Sequence, residues 1–127
     1  MKKNLIAKLV LMFCLIIGGM LASNNVSAQD VWAYTDDEGT EYYVATDKTY
    51  YERYSDGICL YLHYTTVKRN GETEYYSWPE LYHYYWKIGR WTYMWGGKNF
   101  PVEETTQDPY LKHIYPLFKV AREYVSF

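Results

Sequence analysis

Three short turn signals, Asp36-Asp37-Glu38-Gly39, Asn70-Gly71 and Gly89-Arg90, lie between runs rich in tyrosine, tryptophan and β-branched residues. Such turns close by placing glycine in backbone conformations that other residues resist, and they return the chain antiparallel to itself. The first predicts strands over residues 31–35 and 40–46. The second, as a two-residue type I′ turn, predicts a long strand over 58–69 that returns over 72–78. Its register sets Arg69 opposite Glu72, Val67 opposite Glu74 and His63 opposite Trp78. Ile58, Leu60, Leu62 and Tyr64 then share the more apolar face, which should be core. The third, as a type II′ turn, joins strands over 81–88 and 91–95. It pairs Ile88 with Trp91, Trp86 with Tyr93 and Tyr84 with Trp95, giving one almost wholly aromatic face.

The remaining stretches are less strongly patterned. Residues 47–57 read as a polar, tyrosine-rich loop with a short extended piece, and Gly96-Gly97 ends the third hairpin. Asp108-Pro109 has the chemistry of a helix start, an N-cap followed by proline. From there Leu111, Ile114, Tyr115, Phe118, Ala121 or Arg122, and Val125 recur at helical spacing. Pro116 predicts either a kink or a main helix beginning near Tyr115. The expected architecture is α+β, about six antiparallel strands in a meander with a C-terminal helix packed on one face.

The N-terminus has the order that export requires: Lys2, Lys3 and Lys8, an uncharged run over 9–22, then Val26-Ser27-Ala28 with small side chains where signal peptidase needs them. That run is 14 residues long, against the ~20 needed to span a bilayer. Residues 1–28 therefore read as a cleavable signal peptide rather than an anchor, and 29–127 as a single β-rich domain, secreted or held in the periplasm or cell envelope. Cys14 follows Met12-Phe13, not the small residue that lipid attachment needs, and leaves with the signal. Without the three signal lysines the 13 basic residues become ten against 15 acidic ones, a net charge of −5. That balance disfavours nucleic acid and anionic lipid as partners. Cys59 remains alone, so the domain has no internal disulfide to help it. Burial as a small hydrophobe is the expectation, with an intermolecular disulfide or a reactive thiol as alternatives.

Catalytic chemistry is thinly represented. Cys59 and His63 project from one face of the same strand but lie ~13 Å apart at strand spacing, too far for a thiolate–imidazole pair. His83 and His113 are isolated, no spacing suits zinc, and no phosphate loop or serine elbow occurs. No cofactor and no metal are expected, and Asp36 to Glu38 read as turn chemistry rather than a calcium loop. A hydrolase remains a minor alternative.

The aromatic excess carries the functional expectation. A domain of 99 residues cannot bury all 17 tyrosines and five tryptophans of the chain. Tyrosine offers rigid contact area plus a hydroxyl at low entropic cost, which suits protein interfaces and stacking on sugar rings. Tyr84, Trp86, Trp91, Tyr93 and Trp95 are the candidate binding surface. The partner would be a protein or a cell-surface glycan, and a homodimer would cover apolar area left open. The alternative from another class is an inhibitor or immunity-like protein that meets an exported enzyme with an acidic segment, Asp36 to Glu38 or Glu103-Glu104.

Trp32-Ala33-Tyr34, then Gly39-Thr40-Glu41-Tyr42-Tyr43-Val44, then Pro116-Leu117-Phe118 and Ala121-Arg122-Glu123-Tyr124-Val125 resemble the small exported proteins of the surface-adhesin protein E type. The resemblance spans most of residues 29–127 in order of elements, through short motifs. It implies a bent antiparallel sheet with a C-terminal helix, and adhesion to host matrix proteins for the adhesin itself. That family ties helix to sheet with a cysteine pair, of which only Cys59 is present here. No binding residue carries over.

Overall fold

A computed structural model describes residues 30–76 and 78–127. The expected signal peptide lies outside them. Among the described residues the chain forms two antiparallel sheets and a C-terminal helix, so the architecture is α+β but not one six-stranded meander. The first sheet has the order β1 (Asp30–Thr35), β2 (Glu41–Ala45), β5 (Tyr64–Val67), β6 (Thr73–Tyr75). The second runs β3 (Tyr50–Tyr54), β4 (Gly57–Leu62), β7 (Glu80–Tyr85), β8 (Arg90–Trp95), β9 (Lys98–Pro101). No helix among these residues is long and apolar enough to cross a membrane.

The first hairpin lies where Asp36 and Gly39 predict it. The Asp36 carboxylate accepts the amides of Glu38 and Thr40 at 2.9 Å, and Gly39 takes φ +85°. The long strand expected over 58–69 is instead broken at His63, with β4 and β5 in different sheets. Between the pairs Val44–Tyr64 and Tyr50–Tyr61 one arm carries five residues and the other two, so the ladder must bend. Thr49 secures the corner: its buried hydroxyl accepts the His63 amide at 3.0 Å and lies 2.9 Å from the Ala45 carbonyl. The arms 41–54 and 57–67 thus form one bent hairpin that serves both sheets.

Other expectations are corrected on the same physical grounds. Residues 50–54 form β3, not a loop, because a two-residue turn at Ser55-Asp56 sets Tyr54 opposite Gly57. The turn at Asn70-Gly71 has three residues, with Gly71 donating to Lys68 and Lys68 donating to Glu72, both at 2.8 Å. The Asn70 side chain accepts the Glu72 amide and Gly71 takes φ +92°, the arrangement of a type I turn with a glycine bulge. Thr66 therefore faces Glu74, one residue away from the type I′ register, and Trp78 lies beyond β6. In the third hairpin a four-residue loop, Trp86 to Gly89, replaces the two-residue turn, so Tyr84 pairs with Trp91 and Tyr82 with Tyr93. An even shift leaves each side chain on its expected face. Gly96-Gly97, both at positive φ, do not end the sheet but turn it into β9.

After a 3-10 helix over Val102–Gln107, α1 spans Ile114–Tyr124. Asp108 caps only a local turn, its carboxylate accepting the Tyr110 amide at 2.8 Å. Pro116 sits in the first turn of α1, where a missing N–H costs nothing. Ile114, Leu117, Phe118 and Ala121 form the buried stripe of α1 and meet Val44, Leu60, Leu62, Tyr64, Tyr82 and Tyr93 in the core. Phe118 packs on Tyr82 at 5.2 Å and Trp91 at 5.3 Å, while His113 stacks on Tyr42 at 4.9 Å. The helix thus bridges the two sheets. Burial depresses the His113 pKa, and it raises that of Glu80, whose carboxylate accepts the Tyr93 hydroxyl at 2.5 Å and that of Tyr64.

Candidate binding cleft

The inner face of the second sheet is arranged in cross-strand rows, because each antiparallel pair puts its two side chains on the same side. The row Tyr51, Leu60, Tyr82, Tyr93 is covered by α1, and Tyr82 donates from its hydroxyl to the Ile114 carbonyl at 2.8 Å. The next row is Arg53, Ile58, Tyr84, Trp91, one residue from each of β3, β4, β7 and β8. Helix α1 ends at Tyr124, and this row remains partly open. Sheet periodicity and the length of one helix therefore create a concavity where covered rows give way to uncovered ones.

The opening is a cleft of about 330 Å³ lined by Tyr51, Ile58, Tyr84, Trp91, Arg122 and Phe127. Arg122 projects from the last turn of α1 with its guanidinium carbon 5.1 Å from the Trp91 ring centroid and 5.8 Å from that of Tyr51. Its Nη1 donates to the Tyr51 hydroxyl at 3.1 Å. Phe127 meets Tyr51 edge-on at 5.5 Å, and Arg53 lies between Phe127 at 5.2 Å and Trp86 at 5.5 Å. Tyr84 stands edge-on to both Trp86 and Trp91. Each cation over an aromatic face contributes roughly 0.5–1 kcal/mol at such exposed positions. The ion pairs seen among the described residues are Lys68–Glu72, His83–Asp56 and Arg90–Glu103, and neither Arg53 nor Arg122 is in one with an acidic side chain.

The five residues of the expected aromatic surface thus separate. Tyr84 and Trp91 line the cleft and Trp86 stands at its rim, whereas Tyr93 is only 3% exposed, beneath α1. Trp95 is exposed beyond Tyr93 on β8, away from the cleft. Tyr51, Arg53, Arg122 and Phe127 were not foreseen. They come from β3, read as loop, from the polar flank of the helix and from the chain beyond its end, so only the tertiary fold brings them to the aromatic row.

The outer face of the second sheet carries a different group. Tyr50 stacks on Tyr61 at 4.9 Å, the Tyr54 and Tyr61 hydroxyls lie 2.5 Å apart, and His83 stacks on Tyr85 at 4.0 Å. Cys59 lies beneath these rings opposite His83, a cross-strand neighbour that sequence distance hid. His83 is 3.3 Å from Asp56, and burial raises the Cys59 thiol pKa. That shift favours the neutral thiol, the reverse of what a cysteine nucleophile needs. Among the described residues no group of three or more His, Cys, Asp or Glu side chains is placed to hold a metal ion. Acidic Asp36 is engaged by its own turn, and Glu103 lies 3.8 Å from Arg90.

No family model matches the chain, and neither a curated protein nor a solved structure does.

Proposed function

We propose that the protein is a non-enzymatic binding module of the cell exterior, adhesin-like in use, that takes a glycan or a protein side chain into the aromatic cleft. The observation that carries the reading is the open row of Arg53, Ile58, Tyr84 and Trp91 under Arg122 and Phe127. Rigid aromatic faces and arginines are the side chains that dominate binding energy where surfaces meet. A preformed, mostly apolar concavity with few polar groups is also the usual shape of a ligand site. The basic and apolar order of the N-terminus with Val26-Ser27-Ala28 supports export. The engagement of Asp36 in its turn favours this reading over an acidic inhibitor.

The test compares the protein with its Trp86→Ala and Phe127→Ala variants on arrays of cell-wall glycans, host glycans and extracellular matrix proteins. Both side chains are exposed, at 45% and 62%, and outside the core cluster, so the fold should survive their removal. Capture of a ligand that is weakened by both substitutions supports the cleft. Capture that ignores both substitutions places the ligand elsewhere, and no capture by the unmodified protein overturns the reading.

A further inference from the structure

We infer that the cleft takes an acidic sugar unit of a glycan chain, its ring against Trp91 and Tyr84 and its carboxylate between Arg122 and Arg53. This rests on the reading of the cleft as the binding site. Residues 29–127 carry a net charge of −5, yet the cleft is lined by the Arg122 guanidinium and no acidic side chain, with the Arg53 guanidinium beside it over Phe127 and Trp86. Both arginines lie over aromatic rings, an arrangement that fixes the guanidinium plane while leaving N–H groups at its edge to donate. A planar fork of donors matches a carboxylate in two parallel hydrogen bonds, a pairing that lysine could not reproduce. The intramolecular partner of Arg122 is a neutral hydroxyl, that of Tyr51, which a carboxylate can readily outcompete.

The shape of the floor favours a sugar over a peptide. Three of its four strands, β4, β7 and β8, are paired on both sides and only β3 is an edge, so most of the floor offers side chains rather than unpaired backbone groups. Peptides that dock on sheets draw much of their affinity from such backbone groups at an edge. A pyranose needs none of them, since its C–H face carries partial positive charge and lies against the negative face of an aromatic ring. The volume of about 330 Å³ lies at the small end of ligand sites, room for one substituted ring with the chain continuing outward.

The experiment is a fluorescence titration, reading Trp86 and Trp91, with oligosaccharides of galacturonic and glucuronic acid and with the same oligomers after carboxyl reduction. Binding of the acidic oligomers at least about tenfold tighter than the reduced ones is the expected result, given what charge-assisted hydrogen bonds contribute. Arg122→Gln and Arg53→Gln should remove that preference while leaving the thermal midpoint within a few degrees. Equal binding of acidic and reduced oligomers overturns the acidic assignment and leaves the cleft as a neutral sugar site. Competition by an acidic peptide but by no sugar overturns it in favour of a protein partner. Failure of every uronate, while the arrays show another ligand dependent on Trp86 and Phe127, overturns this inference alone. Failure of both experiments overturns the cleft reading as well.

Discussion

The hydroxyl of Thr49 holds the backbone of His63, accepting its amide at 3.0 Å and lying 3.3 Å from its carbonyl, fourteen residues further along the chain. One buried side chain thereby fixes the point at which two adjacent strands leave one sheet for the other. Thr49→Val keeps the shape and removes the polar partner, leaving the His63 amide without its acceptor. The expected loss is ~1–3 kcal/mol, measured as a lower denaturant midpoint, with Thr49→Ser close to the parent. A Thr49→Val midpoint equal to the parent's would contradict the role assigned to this corner.

Glu80 should make stability depend on pH in an unusual direction. Its folded pKa is raised, chiefly by burial and against the opposing effect of the Tyr93 and Tyr64 hydroxyls. A carboxyl raised in the folded state contributes stability fully present below its unfolded pKa and lost as pH rises through the folded value. Glu80→Gln should therefore flatten the decline above the ordinary carboxyl range, from about pH 4.5 upward. His113, depressed by burial, acts oppositely: its contribution is present above about pH 6.5 and lost as pH falls through its folded pKa. Urea midpoints across that range, for the parent and for Glu80→Gln, measure the difference. Identical slopes in the two proteins would rule out the carboxyl.

Two glycines should respond differently to substitution. A β-carbon on Gly57 would overlap the backbone carbonyl of Tyr84, so Gly57→Ala must push β4 from β7. A β-carbon on Gly71 would meet nothing within 4 Å, so Gly71→Val suffers only from φ +92°. The expectation is about 1 kcal/mol or somewhat more for Gly71→Val and a larger loss for Gly57→Ala. Chemical denaturation of both variants checks the order, and equal losses would show that close strand approach is not what Gly57 provides.

Cys59 should be a poor target for thiol reagents and a poor cross-linker. It is buried beneath the outer tyrosines and its pKa is raised by that burial. Alkylation of the native protein should be slow and become fast in denaturant. Sedimentation should give the same mass with and without reductant, whether or not two copies associate through exposed aromatics. Reductant-sensitive dimers would place the thiol at the surface.

What the sequence revealed divides along physical lines. The turn at Asp36 to Gly39 was legible because an acidic residue and a glycine act within five residues of one another. The sites of the turns at Asn70-Gly71 and Gly89 were legible too, but not their lengths. An Asn-Gly pair fits a two-residue type I′ loop or a three-residue loop with the glycine in the bulge, and the Asn70 side chain favours the longer by accepting the Glu72 amide. The break at His63 left no local mark, since Thr49 supplies it from another strand. Strand β3 was missed because its apolar and polar residues do not alternate cleanly; the Asp56-Gly57 pair was the available hint of a turn. For the cleft, Tyr84, Trp86 and Trp91 could be read from one strand face. Arg122 was visible only as an ambiguity in the helical stripe, and Arg53 as a charge in a presumed loop.

The bent hairpin of residues 41–54 and 57–67 has a kinetic consequence. Neither sheet can peel away as a separate unit, because each contains two strands of that hairpin and losing one sheet would pull its corner from the other. Amide hydrogens in β2, β4, β5 and β7 should exchange with solvent through the same rare global opening, with one shared free energy, while strands at the sheet edges, such as β6 and β9, open more readily. A ligand seated between β3 and β8 would slow exchange in the first sheet, which it never touches.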